Sequence, residues 1–211
     1  MKFYVLEDFI GAINELQKNE IPYYLVLAGL PQLSLNVKKA RSYSERMFRT
    51  IMLDNLPTND AALAISKPLK DSQHIFTKEL IDAIVCDTGR YPYFIQFYCR
   101  EIIDNVSKKR VELKDYQLLR PIIVKQLEIS FFDPRIDNLT MTERKLLVSM
   151  AKINENDMMF KDIIARSNIN RNSLSRYLER LEKKGLIYNH KYGTYRFSLP
   201  MLRDFVMNRY G

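Results

Sequence analysis

Cysteine and histidine are both scarce in this sequence of 211 residues. Cys86 and Cys99 are the only thiols, and His74 and His190 are the only imidazoles. Two isolated cysteines fit reduced structural thiols better than a disulfide framework or a zinc site. With only two histidines besides, spacing alone assembles no metal cluster. The composition therefore argues against a disulfide-rich secreted protein and predicts no bound metal.

Long apolar runs are also missing. No segment approaches the roughly 20 apolar residues that cross a bilayer, and the N-terminus lacks the apolar core of a signal peptide. We therefore expect a cytoplasmic protein with no membrane partner. The hydrophobic content of 46% is ordinary for a globular chain, and the length allows one or two domains.

Residues that signal catalysis are equally hard to find. No serine or cysteine lies in a nucleophile motif, and both histidines fall in predicted loops without a neighbouring carboxylate in sequence. We expect no catalytic residue in this chain.

The clearest pattern lies in residues 170–197. Leu174, Leu178 and Leu181 recur at helical spacing, and polar or basic residues occupy the other faces. Gly185 follows and predicts the end of the helix. The sequence therefore predicts an amphipathic helix with a strongly basic outer surface.

A β-hairpin is predicted directly after this helix. Residues 186–188 and 194–197 are short β-prone runs, and the loop between them is rich in turn-forming residues. A helix that leads straight into a hairpin is typical of a winged helix-turn-helix.

The flanking segments predict the other helices of such a module. Thr140 or Thr142 can cap a helix that starts near Glu143, and a shorter helix is expected at 160–166. After the hairpin, Pro200 is expected to begin a last helix, which reaches about Tyr210. The helix within 170–197 would then be the recognition helix of a DNA-binding module.

Basic residues are concentrated in this C-terminal part. Residues 1–137 contain 19 basic and 18 acidic side chains, a net charge of +1, whereas residues 138–211 contain 14 and 7, a net charge of +7. Lysine and arginine often only solvate a surface, but here nearly the whole excess lies on one predicted module. This distribution favours a nucleic-acid partner, namely duplex DNA.

The DNA-binding residues are predicted from their places in this module. Residues at the front of the helix are expected to face base edges and phosphates, because that end of a recognition helix enters the groove. These are Arg171, Asn172, Ser173, Ser175 and Arg176. Residues in the later turns are expected to meet phosphates, and they are Arg180, Lys183 and Lys184. The predicted wing tip consists of His190, Lys191 and Tyr192.

The N-terminal region predicts a different architecture. An amphipathic helix should reach about Asn19, and the apolar run 23–28, bounded by Pro22 and Gly29, predicts a buried strand of a parallel sheet. The next strand candidate is 50–53. A buried parallel strand needs neighbours, so we expect a partial α/β core whose other strands are missing or supplied by another chain.

The middle of the chain predicts a small helical bundle. Apolar residues recur at helical spacing in three segments, and Phe131 to Pro134 are expected to break the helix before the C-terminal module. The dense aromatic residues could stack on bases, but core packing is the favoured interpretation. The expected inward positions are Leu80, Ile81, Ile84, Val85, Tyr93, Phe94, Phe97, Tyr98, Ile102, Leu118, Leu119, Ile122, Ile123 and Leu127.

Six stretches, in order along nearly the whole chain, carry a resemblance to a known family. They are 25–33, 40–48, 51–56, 88–97, 139–144 and 184–188. Together they closely resemble segments of bacterial AAA+/STAND-like ATPases that carry a C-terminal winged helix. The first three are similar to the C-terminal half of the nucleotide-binding core, the fourth to the lid, and the last two to the winged helix.

This resemblance implies a mainly α (α+β) protein in three parts. Residues 1–67 would be a partial α/β core, 68–136 a helical lid and 137–211 a winged helix-turn-helix. Within the core, residues 23–28 would be the sensor-1 strand. Arg46 would be the arginine that faces a neighbouring subunit's γ-phosphate.

The sequence departs from that family in its phosphate chemistry. None of the six glycines begins the loop that cradles phosphates, and no strand ends in the Asp-Glu pair that holds magnesium. Glu7 and Asp8 lie inside the predicted first helix, and Arg90 stands where the lid motif has glycine. ATP and magnesium are therefore implied for the full-length family, and we expect no cofactor and no ATP hydrolysis for this chain alone. The predicted nucleotide-site remnant is Gly29, Arg46, Gly89, Arg90 and Pro92.

Two other functions remain open from the sequence. The chain could be a protein-interaction module that pairs with a separately encoded ATPase half, or forms a homo-oligomer, through its incomplete core. It could also be a truncated remnant without a function of its own.

Overall fold

The computed structural model of the protein describes residues 3–29, 32–51 and 53–211. Over these residues the chain is mainly helical with two small β-sheets, and no helix among them is both long and apolar enough to cross a membrane. The helices are α1 (Phe3–Lys18), α2 (Gln32–Ala40), α3 (Ser44–Met47), α4 (Thr58–Leu69), α5 (Lys78–Asp87), α6 (Pro92–Asn105), α7 (Leu113–Leu127), α8 (Asp133–Ile136), α9 (Met141–Ala151), α10 (Phe160–Ser167), α11 (Arg171–Lys183) and α12 (Leu202–Tyr210). The strands are β1 (Ile75–Phe76), β2 (Arg110–Val111), β3 (Met158–Met159), β4 (Ile187–Lys191) and β5 (Thr194–Phe197).

The first helices form a small hydrophobic core of their own. Leu6 and Ile10 of α1 are buried together with Val37 and Ala40 of α2. The spacing of Leu6 and Ile10, four residues apart, places both on one face of α1. The predicted N-terminal amphipathic helix is therefore confirmed, and its buried face contacts α2.

The predicted parallel strand at 23–28 is wrong. Residues 21–29 form no regular structure, and Tyr24 and Val26 are 95% and 88% exposed. The run is apolar enough for a buried strand, but such a strand also needs neighbours that pair its backbone N–H and C=O groups. The described part of residues 1–67 contains no strand to serve as that neighbour.

The second strand candidate, 50–53, does not form in the described residues either. Ile51 and Leu53 are 71% and 88% exposed, and Met52 lies outside the described residues, as do Leu30 and Pro31 of the stretch 25–33. The expectation of a partial α/β core in residues 1–67 is therefore not met by the part of that region which the structure describes.

Helices α4 to α7 pack into a bundle around a large apolar core. Phe94, Ile95, Tyr98 and Ile102 of α6 are buried, and α4 contributes Ala61 and Ile65 along with the other helices. Helix α4 spans the boundary predicted at 67/68. The two-residue strands β1 and β2 pair in parallel at one end of the bundle, a contact that the sequence pattern did not indicate.

The predicted inward face of α7 is rotated relative to the observed one. Leu118 and Ile122, which were expected in the core, are 78% and 55% exposed, whereas Tyr116, Ile123 and Leu127 are buried. Apolar residues occur on both faces of this helix, so periodicity alone does not determine which face turns inward. Tyr93 of α6 is likewise 48% exposed, although it stacks on Phe131.

The expected break at residues 131–134 is continuous helix instead. Residues 128–132 form a π-helical turn that leads directly from α7 into α8. The extra residue of a π turn lets both Phe131 and Phe132 reach the core, where Phe132 stacks on Phe205 of α12 with ring centroids 5.0 Å apart. Pro134 lies in the first turn of α8 and has no N–H to donate to the preceding turn, which is π-helical rather than α-helical.

Residues 137–211, here called the C-terminal module, contain three helices, a hairpin and a closing helix. Helices α9, α10 and α11 confirm the predicted helices at these positions, and β4 and β5 confirm the predicted hairpin. Strand β3 adds to β5, so the sheet has the antiparallel order β3-β5-β4. Helix α12 packs on α9, and a single buried cluster continues from the middle helices into this module.

Because this core is continuous, we expect residues 58–211 to unfold as one cooperative unit. Replacing the buried Phe132 by alanine should lower the free energy of unfolding by about 3–5 kcal/mol, since it leaves a cavity at the junction. Urea titration followed by circular dichroism and tyrosine fluorescence measures this. The control is Leu118→Ala, whose side chain is exposed and should have little effect. Two separate urea unfolding transitions, with only one shifted in Phe132→Ala, would contradict a shared core.

Candidate nucleic-acid interface

Helix α11 divides sharply into a buried face and an exposed face. Leu174, Leu178 and Leu181 are completely buried, and they anchor the helix to the rest of the C-terminal module. At its start, the side-chain oxygen of Asn170 accepts a hydrogen bond of 2.9 Å from the backbone N–H of Asn172. This cap supplies a partner for one of the free N–H groups of the first turn.

The end of α11 is fixed by its backbone. Gly185 has a φ of +68°, and its N–H bonds the carbonyl of Glu182, while the N–H of Leu186 bonds the carbonyl of Leu181. Together these two bonds form a Schellman motif, in which the residue after the helix adopts a left-handed conformation that glycine favours. The predicted stop at Gly185 is therefore confirmed, and it directs the chain into β4.

Lys184 is tied to the module by its ammonium group, although about a third of its side chain, 32%, stays exposed. Its ammonium donates hydrogen bonds to the Glu143 carboxylate at 2.8 Å and to the carbonyl oxygen of Asn138 at 2.9 Å. Glu143 is buried in the first turn of α9, where its carboxylate also accepts from the N–H of Thr140 and completes a capping box. Lys184, predicted to contact phosphate, is thus occupied by an internal ion pair.

The pKa of Glu143 is lowered as a result. Burial by itself raises the pKa of this carboxyl group, but the hydrogen bonds from Lys184 and Thr140 favour its charged form and outweigh burial. The carboxylate therefore links the start of α9 to the end of α11.

Other cations of the predicted interface remain available. Arg171, Arg176, Arg180 and Lys191 are exposed, and in the described part of the chain none of them forms an ion pair. The guanidinium of Arg180 lies over the ring of Tyr177 at 5.6 Å. These four side chains provide the positive charge that a phosphate backbone would meet.

The remaining predicted residues on α11 differ in their surroundings. Lys183 pairs with Glu179 one turn earlier at 2.7 Å, and more than half of each side chain is exposed, so solvent and salt can readily compete with this pair. Asn172 and Ser175 are exposed, and Ser173 is half-buried. The front of the helix therefore presents donors and acceptors of the kind that read base edges.

The predicted wing tip projects from the sheet. Tyr192 is fully exposed, and Gly193 has a φ of +68°, which allows the tight turn between β4 and β5. The pairing shifts between Asn189 and Lys191, so His190 is an extra residue in β4, and its ring contacts Tyr188 edge to face.

Strand β3 and α10 hold the hairpin in place. Arg196 of β5 forms an ion pair with Asp157, and the bond from Arg196 lowers the pKa of that carboxyl group. The N–H of Phe160 donates to the carbonyl of Gly193 at 2.8 Å. The tip of the hairpin is therefore bonded to the beginning of α10.

The residues predicted as a nucleotide-site remnant lie in two regions of the chain, and three of them form one turn. Gly89 and Arg90 have φ values of +57° and +62° and make a turn, in which a side chain on Gly89 would meet Pro200 at 3.0 Å. The carbonyl of Arg90 accepts from the N–H of Leu56. Pro92 begins α6. This turn packs the middle helices against the segment before α12.

The other two members of that set belong to the N-terminal region. Gly29 is the last described residue before α2 and lies close to Leu33, and Arg46 is exposed in the short helix α3. None of the five residues lines the cavities of about 490 and 240 Å³ described in the chain. Within the described residues, no group of three potential metal-ligating side chains occurs.

Sequence reasoning missed two residues that shape this surface. Glu143 holds Lys184, and the spacing Thr140-x-x-Glu143 is itself a capping-box signature that could have indicated this role. Tyr177 supports Arg180 three residues later on the same helix face, a spacing visible in the sequence.

Comparison with known proteins adds one match. A protein-family model described as a domain of unknown function (DUF8462) matches residues 129–206, which run from the π-helical turn into α12. A search of curated proteins finds no match for the chain.

The Glu143–Lys184 pair generates a stability prediction. Replacing Lys184 by glutamine leaves a buried carboxylate without its cation and should cost about 1–3 kcal/mol of unfolding free energy near neutral pH. Because the folded pKa of Glu143 is lowered below the value of 4.5, its contribution is present above pH 4.5 and is lost as pH falls through the folded pKa. Urea titrations at pH 7 and pH 3.5 measure the difference.

The adjacent Lys183→Gln is the matched control. It removes the same charge from the same helix end, but its pair with Glu179 is exposed, so its stability should match that of the unmodified protein. Equal losses for both substitutions, or a loss for Lys184→Gln that does not shrink at low pH, would contradict the role of this pair.

Proposed function

We propose that the C-terminal module is a winged helix-turn-helix that binds duplex DNA, with α11 as its recognition helix. One observation carries this proposal: Arg171, Arg176, Arg180 and Lys191 are exposed and unpaired among the described residues, while the opposite face of α11 is buried. Unpaired cations along one helix and an adjacent hairpin match the charge that a phosphate backbone requires.

The roles along this surface follow from position. Arg171, Asn172, Ser173, Ser175 and Arg176 face base edges and nearby phosphates from the first turns of α11. Arg180 meets a phosphate from a later turn, and Lys183 does so after leaving Glu179. His190, Lys191 and Tyr192 contact the backbone beside the groove. Lys184 is left out of this surface because it neutralises Glu143.

Binding to duplex DNA of random sequence should depend steeply on salt. With about four phosphates neutralised, a plot of log affinity against log salt concentration should have a slope of about −3 to −4. Fluorescence anisotropy with a labelled duplex measures both affinity and slope. Arg176→Gln should weaken binding and reduce the slope by about one.

Lys109→Gln is the matched control for this charge change. Lys109 is exposed in the loop before β2, away from the C-terminal module, and its removal should leave both affinity and slope unchanged. Absence of binding at low salt, or equal effects of Arg176→Gln and Lys109→Gln, would refute the proposal.

A second proposal concerns the N-terminal region, and the exposed apolar side chains there favour it. Tyr23, Tyr24 and Val26 lie in an irregular segment, and Ile51 and Leu53 are exposed nearby in sequence. We propose that residues 21–29 add as a strand to the sheet edge of a separately encoded AAA+/STAND-like half that carries the phosphate-binding loop. ATP and magnesium would then belong to the assembled protein.

This pairing predicts that Tyr24→Asp combined with Val26→Asp abolishes co-purification of a chain containing Gly-x-x-x-x-Gly-Lys-Ser/Thr from the native host. Charges at these positions would oppose burial in a sheet. The matched control, Leu118→Asp with Ile122→Asp, alters two exposed apolar residues of α7 and should retain the partner. Recovery of no such chain with the unmodified protein, or equal recovery with both double variants, would rule the pairing out.

A further inference from the structure

A cavity of about 490 Å³ lies in the C-terminal module, away from the residues assigned to DNA. It is bounded by α9, by the end of α10 with the turn after it, and by Tyr210, the last residue of α12. No residue of α11, β4 or β5 lines it. Its volume is within the range of small-molecule sites in proteins, and it opens widely to solvent.

The polar lining of this cavity is positively charged. Arg144 and Lys145 come from α9 and Arg166 from α10, and the lining contains no acidic side chain. Within the described part of the chain, none of these three cations forms an ion pair with a carboxylate. Three cations that line one pocket, with no acidic side chain in the same lining, favour an anion there.

One hydrogen-bond donor of Arg144 has no partner within the protein. Its Nε is buried and has no hydrogen-bond partner, and its guanidinium lies over the Tyr210 ring at 4.8 Å. A buried donor without a partner is costly, and most buried polar groups in folded proteins are paired. Because this Nε is shielded from solvent, an anion in the cavity would neutralise the guanidinium charge without bonding the Nε itself.

The rest of the lining combines small polar and apolar groups. Ser149 and Asn168 add a hydroxyl and an amide, and Asn168 ends α10 in a left-handed conformation with φ of +54°. Met141 and Val148 form apolar wall, and Met141 is 68% exposed. The cavity thus offers a cationic part and an apolar part side by side.

We propose that this cavity binds a small phosphorylated ligand of about nucleotide size. Arg144, Lys145 and Arg166 hold the phosphate, because guanidinium and ammonium groups form charge-assisted hydrogen bonds to phosphate oxygens. The less polar part of the ligand lies along Met141, Val148 and the Tyr210 ring. This site does not depend on the DNA-binding proposal, since the two share no residue.

Isothermal titration calorimetry of the full chain, without DNA, tests the site with three probes. Pyrophosphate and adenosine monophosphate should bind, whereas adenosine, which lacks phosphate, should not bind at the same concentrations. The monophosphate should lose affinity in Met141→Asp, because a carboxylate would then stand on the apolar wall. Binding of adenosine as tightly as of the monophosphate would overturn phosphate recognition.

Two changes to the cavity should weaken phosphate binding. Lys145→Gln with Arg166→Gln removes two exposed cations, and affinity for pyrophosphate should fall by roughly tenfold or more. As a separate variant, Ser149→Asp places a carboxylate among the three cations and should also lower the affinity for pyrophosphate. The matched control, Lys152→Gln with Lys161→Gln, removes two exposed cations that do not line the cavity and should leave affinity within twofold.

Two outcomes would contradict this assignment and identify its replacement. Loss of pyrophosphate binding in Arg171→Gln with Arg176→Gln, but not in the cavity variants, would place the anion on the surface of α11. The second outcome has two parts: neither phosphate probe binds, and Lys145→Gln with Arg166→Gln binds duplex DNA more weakly and with a smaller salt slope. That result would assign the cavity to contact with the DNA backbone. The Arg176→Gln anisotropy measurement remains a separate test of the DNA-binding proposal.

Discussion

The arrangement of the C-terminal module depends on one buried carboxylate. Glu143 must have its charge and its oxygens satisfied, because an unpaired carboxylate away from water is strongly unfavourable. Thr140 supplies an N–H from the same helix turn, and Lys184 supplies an ammonium from the far end of α11. The beginning of α9 and the end of α11 are thereby held together, while three buried leucines fix which face of α11 turns outward. The exposed cations owe their direction to these contacts.

Local signals in the sequence predicted the C-terminal module well, and for physical reasons. Leu174, Leu178 and Leu181 share one helix face, Gly185 takes the left-handed conformation that ends the helix, and the β-prone runs pair as a hairpin. Each of these features depends on residues close together in the chain. The same locality explains why Lys184 was assigned to phosphate, since its partner Glu143 is 41 positions away.

The misses arise where long-range pairing decides the structure. Residues 23–28 have the composition of a buried strand, but no described neighbour exists to bond their backbone. Helix α7 has apolar residues on two faces, so its packing against the surrounding helices determines which face is buried. Ile123 is buried and Ile122 is exposed. The pairing of Ile75 with Arg110 joins residues that carry no local strand signal. The five nucleotide-remnant residues were brought together by a resemblance, and the chain itself places them in different packing units.

The π-helical turn at 128–132 has a consequence for where this protein can tolerate an inserted or deleted residue. Each added residue in a helix rotates everything after it by about 100°, and this turn already accommodates one residue more than a regular α-helix would hold. Deleting a residue here would restore the regular helix but would swing either Phe131 or Phe132 out of its aromatic contacts. A change of chain length between α7 and α8 should therefore disturb the packing of these rings, and insertions should be tolerated far better at the exposed tip bearing Tyr192.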